Sequence, residues 1–254
     1  MDQGTASRIG RMIKGYSAEQ VRAAEAPHLA AGVPLMARAA SGLAGEIRRL
    51  LPEAGGRLLL LVGSGDNGGD ALYAGAELAG EGAEVAIVTT GSRVHEQGLA
   101  AALAAGAYRT NPEEVAPLAA DSHVVVDGIL GTGTSANPAL RGGARDVVSA
   151  ILPVLAADPH PLVVAVDIPS GINPNDGSVP VLPPDASGED GGSGAAGGST
   201  RAVVLPADLT VTFGGYKAGL LIPPASGLAG RVVLVDIGLG QDLDKVEPVI
   251  RIDE

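Results

Sequence analysis

Cysteine and tryptophan are absent from the 254 residues, and phenylalanine occurs once. Without cysteine there can be no disulfide, no thiolate nucleophile and no Cys-ligated metal. Four tyrosines are the only other aromatic residues. The interior must therefore be built from Val, Leu, Ile and Ala, which suits a sheet covered by alanine-rich helices. Basic residues are scarce too: 17 Lys and Arg stand against 29 Asp and Glu, a formal charge of −12. That balance argues against a nucleic-acid partner, because phosphate backbones are met by clustered Lys and Arg. No apolar run reaches the roughly 18 residues that a membrane span needs, so no membrane partner is expected. The opening MDQGTASRIGRMIKG lacks the apolar stretch of a secretory signal, and the default location is cytoplasmic. Residues 1–14 read as a flexible extension, 15–240 as one domain and 241–254 as a C-terminal tail.

What is present is regular. YSAEQVRAAEA offers a capping box, with Ser17 as N-cap and Gln20 three residues on. Pro34 then opens a stretch in which Leu35, Ala39, Leu43, Ile47 and Leu50 recur at helical spacing. Two N-terminal helices are expected, the second ending by Pro52. Beyond them short apolar runs alternate with helical stretches. The runs are Leu58–Val62, Val85–Val88, Val124–Val126, Leu162–Val166, Leu209–Phe213 and Val232–Val235. The helical stretches are Ala71–Glu81, Val94–Ala105, Glu113–Ala120 and Ala144–Leu155. Continuous β-rich runs separated by helices predict an α/β fold, a Rossmann-like doubly wound and mainly parallel sheet with helices on both faces. Pro180–Thr200 breaks the pattern, being rich in Pro, Gly and Ser, and reads as a disordered insert.

The unusual residues follow the strands, where open parallel sheets bind ligands. Four turns stand out: GSGDNGGD (63–70), DGILGTGTSANPALRG (127–142), DIPSGINPNDG (167–177) and GGYKAG (214–219). In the first, Gly63, Gly65 and Gly68 fit the dinucleotide spacing G-x-G-x-x-G, yet Asp66 and Asp70 place carboxylates where phosphates should lie. A phosphate-binding lysine is missing, and the next strand runs into Thr89 and Thr90 rather than an acidic ribose ligand. The plain alternative is a tight strand-to-helix turn with Asp70 as helix cap, which leaves Asp66 unexplained. In the second turn Asp127 follows three valines, where a carboxylate is costly unless paired or working. Gly131 and Gly133 allow a backbone anion nest. In the third, Asp167 repeats the placement of Asp127, and Ser170 sits in a rigid turn without the G-x-S-x-G elbow of a serine nucleophile. A Ser-His-Asp triad stays open, with His28 and His95 in helical regions, His160 in a loop and His123 at the head of a buried strand. Lys217 is either a substrate or carboxylate contact or an ordinary surface lysine.

Taken in order, these turns resemble the YjeF N-terminal family, the NAD(P)H-hydrate epimerases. That family's G-x-G-N-N-G-G-D is similar to Gly63–Asp70, its D-a-l-f-G-t-G to Asp127–Gly133 and its D-i-P-S-G to Asp167–Gly171. Its T-v-T-F-x-x-x-K-x-G-L is similar to Thr210–Leu220, and its closing G-x-V-x-V-x-D-I-G to Gly230–Gly238. The resemblance implies a cofactor-repair isomerase that interconverts the two C6 epimers of hydrated NAD(P)H, so that a separate dehydratase can restore the cofactor. It implies substrate contacts by Asp66, Asn67, Gly68, Gly69, Asp70, Gly131, Thr132, Gly133, Thr134, Ser135, Ala136, Asn137 and Asp167. It implies potassium held by Asn67, Asp127 and Ser170, oxygen ligands that suit a hard cation. Proton transfer is assigned to Asp127, with Lys217 assisting or binding. A homodimer is expected, with no dehydratase domain after the closing motif. Asp66 departs from the family's Asn, adding charge and losing an amide donor. The alternatives are a non-catalytic YjeF-like nucleotide-binding or scaffold module, and a plain NAD-dependent oxidoreductase.

Overall fold

The computed structural model describes residues 12–133, 137–182 and 200–253. In chain order the elements are β1 (Met12–Tyr16), α1 (Ala18–Ala30), α2 (Leu35–Arg48), β2 (Arg57–Val62), α3 (Asp66–Gly80), β3 (Glu84–Thr89) and α4 (Glu96–Ala104). There follow β4 (Tyr108–Arg109), α5 (Val115–Asp121), β5 (Val124–Gly128), α6 (Gly142–Leu155), β6 (Leu162–Val166), β7 (Val181–Leu182) and β8 (Thr200–Arg201). The chain closes with β9 (Leu209–Phe213), β10 (Tyr216–Lys217), β11 (Arg231–Val235), α7 (Gly240–Leu243) and β12 (Ile250–Asp253).

The main sheet has seven strands in the order β11-β9-β6-β5-β2-β3-β4, and every pairing is parallel. Strand order runs one way from β2 and the other way from β5, so the crevice between their carboxyl ends is the topological switch point. Alternation along β2 explains the two layers. Leu58, Leu60 and Val62 pack on the face covered by α2 and α3, while Leu59 and Leu61 join Val147, Val148 and Ile151 of α6 on the other. α2 buries Leu35, Ala39, Leu43 and Ile47, the stripe that its sequence spacing predicts. The Ser17–Gln20 capping box forms at the head of α1.

Met12–Lys14, expected in a flexible extension, belongs to a strand. β1 lies between β10, to which it is parallel, and β12, to which it is antiparallel. The expected tail thus supplies an edge strand of a small second sheet. Five residues that include Lys14 and Gly15 carry too little apolar alternation for their pairing to be read locally. Of the expected insert, Val181–Leu182 and Thr200–Arg201 form a two-stranded antiparallel ladder. Residues 183–199 lie outside the described residues, so the expectation of disorder falls mostly there.

Candidate active site at the switch point

α3 starts at Asp66, five residues earlier than its apolar pattern suggests, with Gly65 as an extended N-cap. Asp70 is therefore inside the helix and is not its cap. Asp66, exposed in the first turn, gains from the positive end of the helix dipole, which supplies the structural reason for a carboxylate there. Two of the three fingerprint glycines serve packing. A Cβ on Gly63 would stand 1.8 Å from the Ile129 carbonyl oxygen, and one on Gly68 would stand 2.3 Å from that of Gly63. Gly65 faces open space. The turn thus clamps the start of α3 against the strand beside it.

Asn67, the second residue of α3, ties the neighbouring strand ends together. Its Nδ2 donates to the carbonyl oxygens of Val166 and Leu130. Its Oδ1 is turned toward Gly131, where a Cβ would come within 2.3 Å. Asp127, near the end of β5, is fully buried rather than lying at an edge. Its Oδ1 accepts from the Ser170 hydroxyl (2.6 Å) and the Ile129 N–H (3.3 Å), and its Oδ2 accepts from the Ser170 N–H (2.8 Å). Ser170 Oγ also accepts from the Leu130 N–H at 2.8 Å. Burial pushes the Asp127 carboxyl up, and the Ser170 and Ile129 hydrogen bonds oppose that shift.

A second cluster forms at the ends of β6 and β9. Asp167 has φ 67°, in the left-handed region, a conformation that costs a non-glycine residue roughly 1–3 kcal/mol and concentrates at functional sites. Three donors converge on its Oδ1: the Thr212 hydroxyl (2.9 Å), the Phe213 N–H (3.3 Å) and Lys217 Nζ. Lys217 also donates to the Phe213 carbonyl (2.9 Å) and to Thr212 Oγ1 (3.2 Å). It is 2% exposed, so the surface-lysine reading fails. Asp70 and Glu25 complete the acidic surroundings. Asp70 is pushed well above the usual carboxylate range, by burial first and then by Asp167 and Asp66. Glu25 is pushed up by burial, with Lys217 opposing and Asp167 and Asp66 adding.

The expected residues therefore fall into two linked groups, Asn67–Asp127–Ser170 and Asp70–Asp167–Lys217. Lys217 bonds to Asp167, not to Asp127. Gly131, Thr132 and Gly133 line the adjoining turn, whose Thr132 carbonyl accepts from Arg22 at 2.8 Å. Residues 134–136, and with them the expected contacts of Thr134, Ser135 and Ala136, lie outside the described residues. Asn137 is exposed and its Oδ1 accepts from the Ala139 N–H. Among the described residues no triad forms: His28 bonds Asp242, and the ring nitrogens of His95 and His123 accept from backbone N–H groups of Gly98 and Arg57. His160 bonds the Pro161 carbonyl group.

Glu25 and Arg22 were not singled out, and Thr212 entered only as part of the T-v-T-F stretch. Thr212 had a signal, since a threonine alternating with valine in a fully buried strand needs a partner. Glu25 lies next to the buried stripe Ala18, Val21, Ala24 of α1, but nothing local shows what that stripe faces.

Residues 32–219 match the family model described as "YjeF-related protein N-terminus". The chain is 50% identical over 242 residues to an NAD(P)H-hydrate epimerase of Clavibacter michiganensis subsp. michiganensis, covering 93% of this chain and 95% of that one. It is 48% identical to the NAD(P)H-hydrate epimerase of Clavibacter sepedonicus, covering 96% and 98%. It is 41% identical to a bifunctional NAD(P)H-hydrate repair enzyme, Nnr, of Mycobacterium tuberculosis, covering 88% of this chain and 41% of the relative. The crystal structure of the yeast protein ynu0 superposes with a TM-score of 0.62 at 16% identity, covering 87% of each chain, and shares the fold. With the family model spanning most of the domain and two relatives near half-identical over almost the whole chain, the protein belongs to the YjeF N-terminal family.

Proposed function

We propose that this protein is an NAD(P)H-hydrate epimerase, which interconverts the R and S forms of the hydrated cofactor. The observation that carries this reading is a buried Asp167–Lys217 pair beside Asp70, next to the switch-point crevice, in a chain half-identical over nearly its full length to epimerases. Hydration at C6 makes a carbon that bears both a hydroxyl and the ring nitrogen N1. Inverting that carbon is redox-neutral and needs only proton movement and control of the intermediate, so no thiol, hydride carrier or second substrate is required.

In this reading Asp66, Asn67, Gly68, Gly69, Asp70 and Asp167 border the hydrated ring and its ribose. The Gly131–Asn137 turn meets the phosphates through backbone N–H groups, as anion nests do. Lys217 holds Asp167 toward the ring. Asn67, Asp127 and Ser170 suit potassium. Their oxygens are hard donors that together carry one negative charge, two of them stand 2.6 Å apart, and Gly131 leaves Asn67 Oδ1 without a neighbouring side chain. A bound potassium ion would supply fixed positive charge beside the nucleotide. Asp127, to which the sequence assigned the proton transfer, has both oxygens engaged by Ser170 and in this reading serves the reaction instead by holding that charge.

The protein acts together with an NAD(P)H-hydrate dehydratase activity, a pairing supported by relatives described as bifunctional repair enzymes. It works in the cytoplasm, and it functions as a homodimer, which size-exclusion chromatography with light scattering tests. The activity itself is tested by incubating one purified epimer of hydrated NADH with the protein and following the epimer ratio by chromatography. Equilibration faster than the spontaneous rate supports the reading, and a rate equal to the blank refutes it.

A further inference from the structure

Asp70 differs from the other acids of the site. It is 6% exposed, and its Oδ1 is the one buried side-chain polar atom among the described residues without a hydrogen-bond partner. Three other carboxyl groups face it from different elements: Asp167 beyond β6, Asp66 at the start of α3 and Glu25 on α1. The cation facing it, Lys217, is already engaged by Asp167, Thr212 and Phe213. A carboxylate in that position would be buried, unpaired and surrounded by like charge, which is costly. A neutral carboxylic acid removes the cost, and the shift of Asp70 well above its ordinary range has those causes. Asp167 is in the opposite condition. All three of its donors converge on Oδ1, leaving Oδ2 free of them. The two acids thus sit in opposite settings, one buried without a partner on Oδ1 and the other ion-paired, the kind of arrangement by which two like side chains take opposite roles.

We propose that Asp70 is the proton donor of the epimerisation and Asp167 its partner base. The proposal rests on the epimerase reading above. Asp167 takes the proton of the C6 hydroxyl, and the O–H electron pair becomes the second bond of a C6 carbonyl. The C6–N1 bond breaks, its pair goes to N1, and N1 receives the proton of Asp70. The ring is now an open aldehyde with an N1–H amine. Rotation about C5–C6 presents the other carbonyl face. Closure reverses the transfers: N1 attacks C6, its proton returns to Asp70, and the carbonyl oxygen takes back the proton held by Asp167. Atoms, electrons and both protonation states are restored, and no co-reactant is consumed. Because N1 stays fixed and only the aldehyde turns, one acid and one base serve both epimers.

The test compares wild type, Asp70→Asn and Asp167→Asn on one purified epimer of hydrated NADH, with potassium present and the blank rate subtracted. Asp70→Asn keeps the shape but has no proton to give. It is expected to lose about 100- to 10,000-fold in kcat, with KM within about threefold of wild type. Wild-type kcat is expected to fall as pH rises through the titration of Asp70, and that limb should vanish from the residual rate of Asp70→Asn. The wild-type limb is read without any variant, so a poorly folding variant does not remove the test. A variant with more than about one-tenth of wild-type kcat, a loss confined to KM, or a wild-type rate with no high-pH limb overturns the role of Asp70 while leaving the epimerase intact. A wild-type rate equal to the blank overturns the epimerase reading and this proposal with it.

Discussion

Lys217 Nζ reaches from β10 to Asp167 Oδ1 beyond the end of β6, and the two residues are only 2% and 5% exposed. A buried pair of this kind adds little net stability when intact, but loss of one partner strands the other charge. Lys217→Met should therefore destabilise the fold by about 3–5 kcal/mol, read from denaturant unfolding. The double variant Lys217→Met with Asp167→Asn should recover most of that loss, since no charge is left without a partner. Neither should equilibrate the epimers. A single variant as stable as wild type would show that solvent reaches Asp167.

Potassium binding gives a second prediction, with a readout other than activity. Potassium should raise the Tm of the wild-type protein and lithium should not, because a smaller cation fits the same oxygens poorly. Ser170→Ala removes a hydroxyl that bonds both Asp127 and the Leu130 N–H. It should abolish the potassium shift and cost about 1–3 kcal/mol from the groups left unpaired. Asp127→Asn should abolish the shift and epimer interconversion together. Near-normal interconversion by Asp127→Asn would sink the assignment of that residue to the reaction.

The glycines of the first turn separate packing from ligand approach. Gly63→Ala would place a methyl carbon 1.8 Å from a backbone carbonyl oxygen, which cannot swing aside. It should cost at least about 1–3 kcal/mol, the usual range for overpacking. Gly65→Ala meets nothing within 4 Å and should leave Tm within about a degree or two, since surface changes stay near ±0.5 kcal/mol. Its effect, if any, should be on the KM for the hydrated nucleotide. A Gly65→Ala protein with wild-type KM would place the substrate away from the mouth of this turn.

How far these residues could be read in advance depended on whether their partners were near in sequence. The β2, β5, β6 and β9 runs were legible because strands buried on both faces need unbroken apolar residues, and the turns after them stood out as glycine and carboxylate. Asn67 with Ser170, and Asp167 with Lys217, could be expected at one rim for that reason. The division into two clusters was not legible. Which oxygen Lys217 meets depends on the left-handed turn at Asp167 and on Thr212 from the neighbouring strand, and neither leaves a local mark. The start of α3 was misjudged because its first turn, Asp66–Gly69, is polar and glycine-rich, with no apolar periodicity to reveal it. β1 and β12 were missed because each is held by the other, with 233 residues between the end of one and the start of the next.

Asp70 links stability to pH with a definite sign. Its folded-state carboxyl titrates above the unfolded value, which is about 3.9. Below that value both states are protonated and Asp70 makes no difference between them. As pH rises further, the unfolded chain releases the proton while the folded chain keeps it, so stability falls with pH until the folded carboxyl also ionises. Above that point the penalty is constant. Asp70→Asn removes the titration without changing the side-chain shape. The variant should therefore be more stable than wild type at pH 8, and the difference should shrink to nothing toward pH 4. Thermal unfolding of the two proteins over that range, compared as a difference, cancels every carboxyl group they share. A variant with unchanged or lower Tm at pH 8 would mean that Asp70 is ionised and well paired in the folded protein, and the proton donor of the site would have to be sought at Glu25.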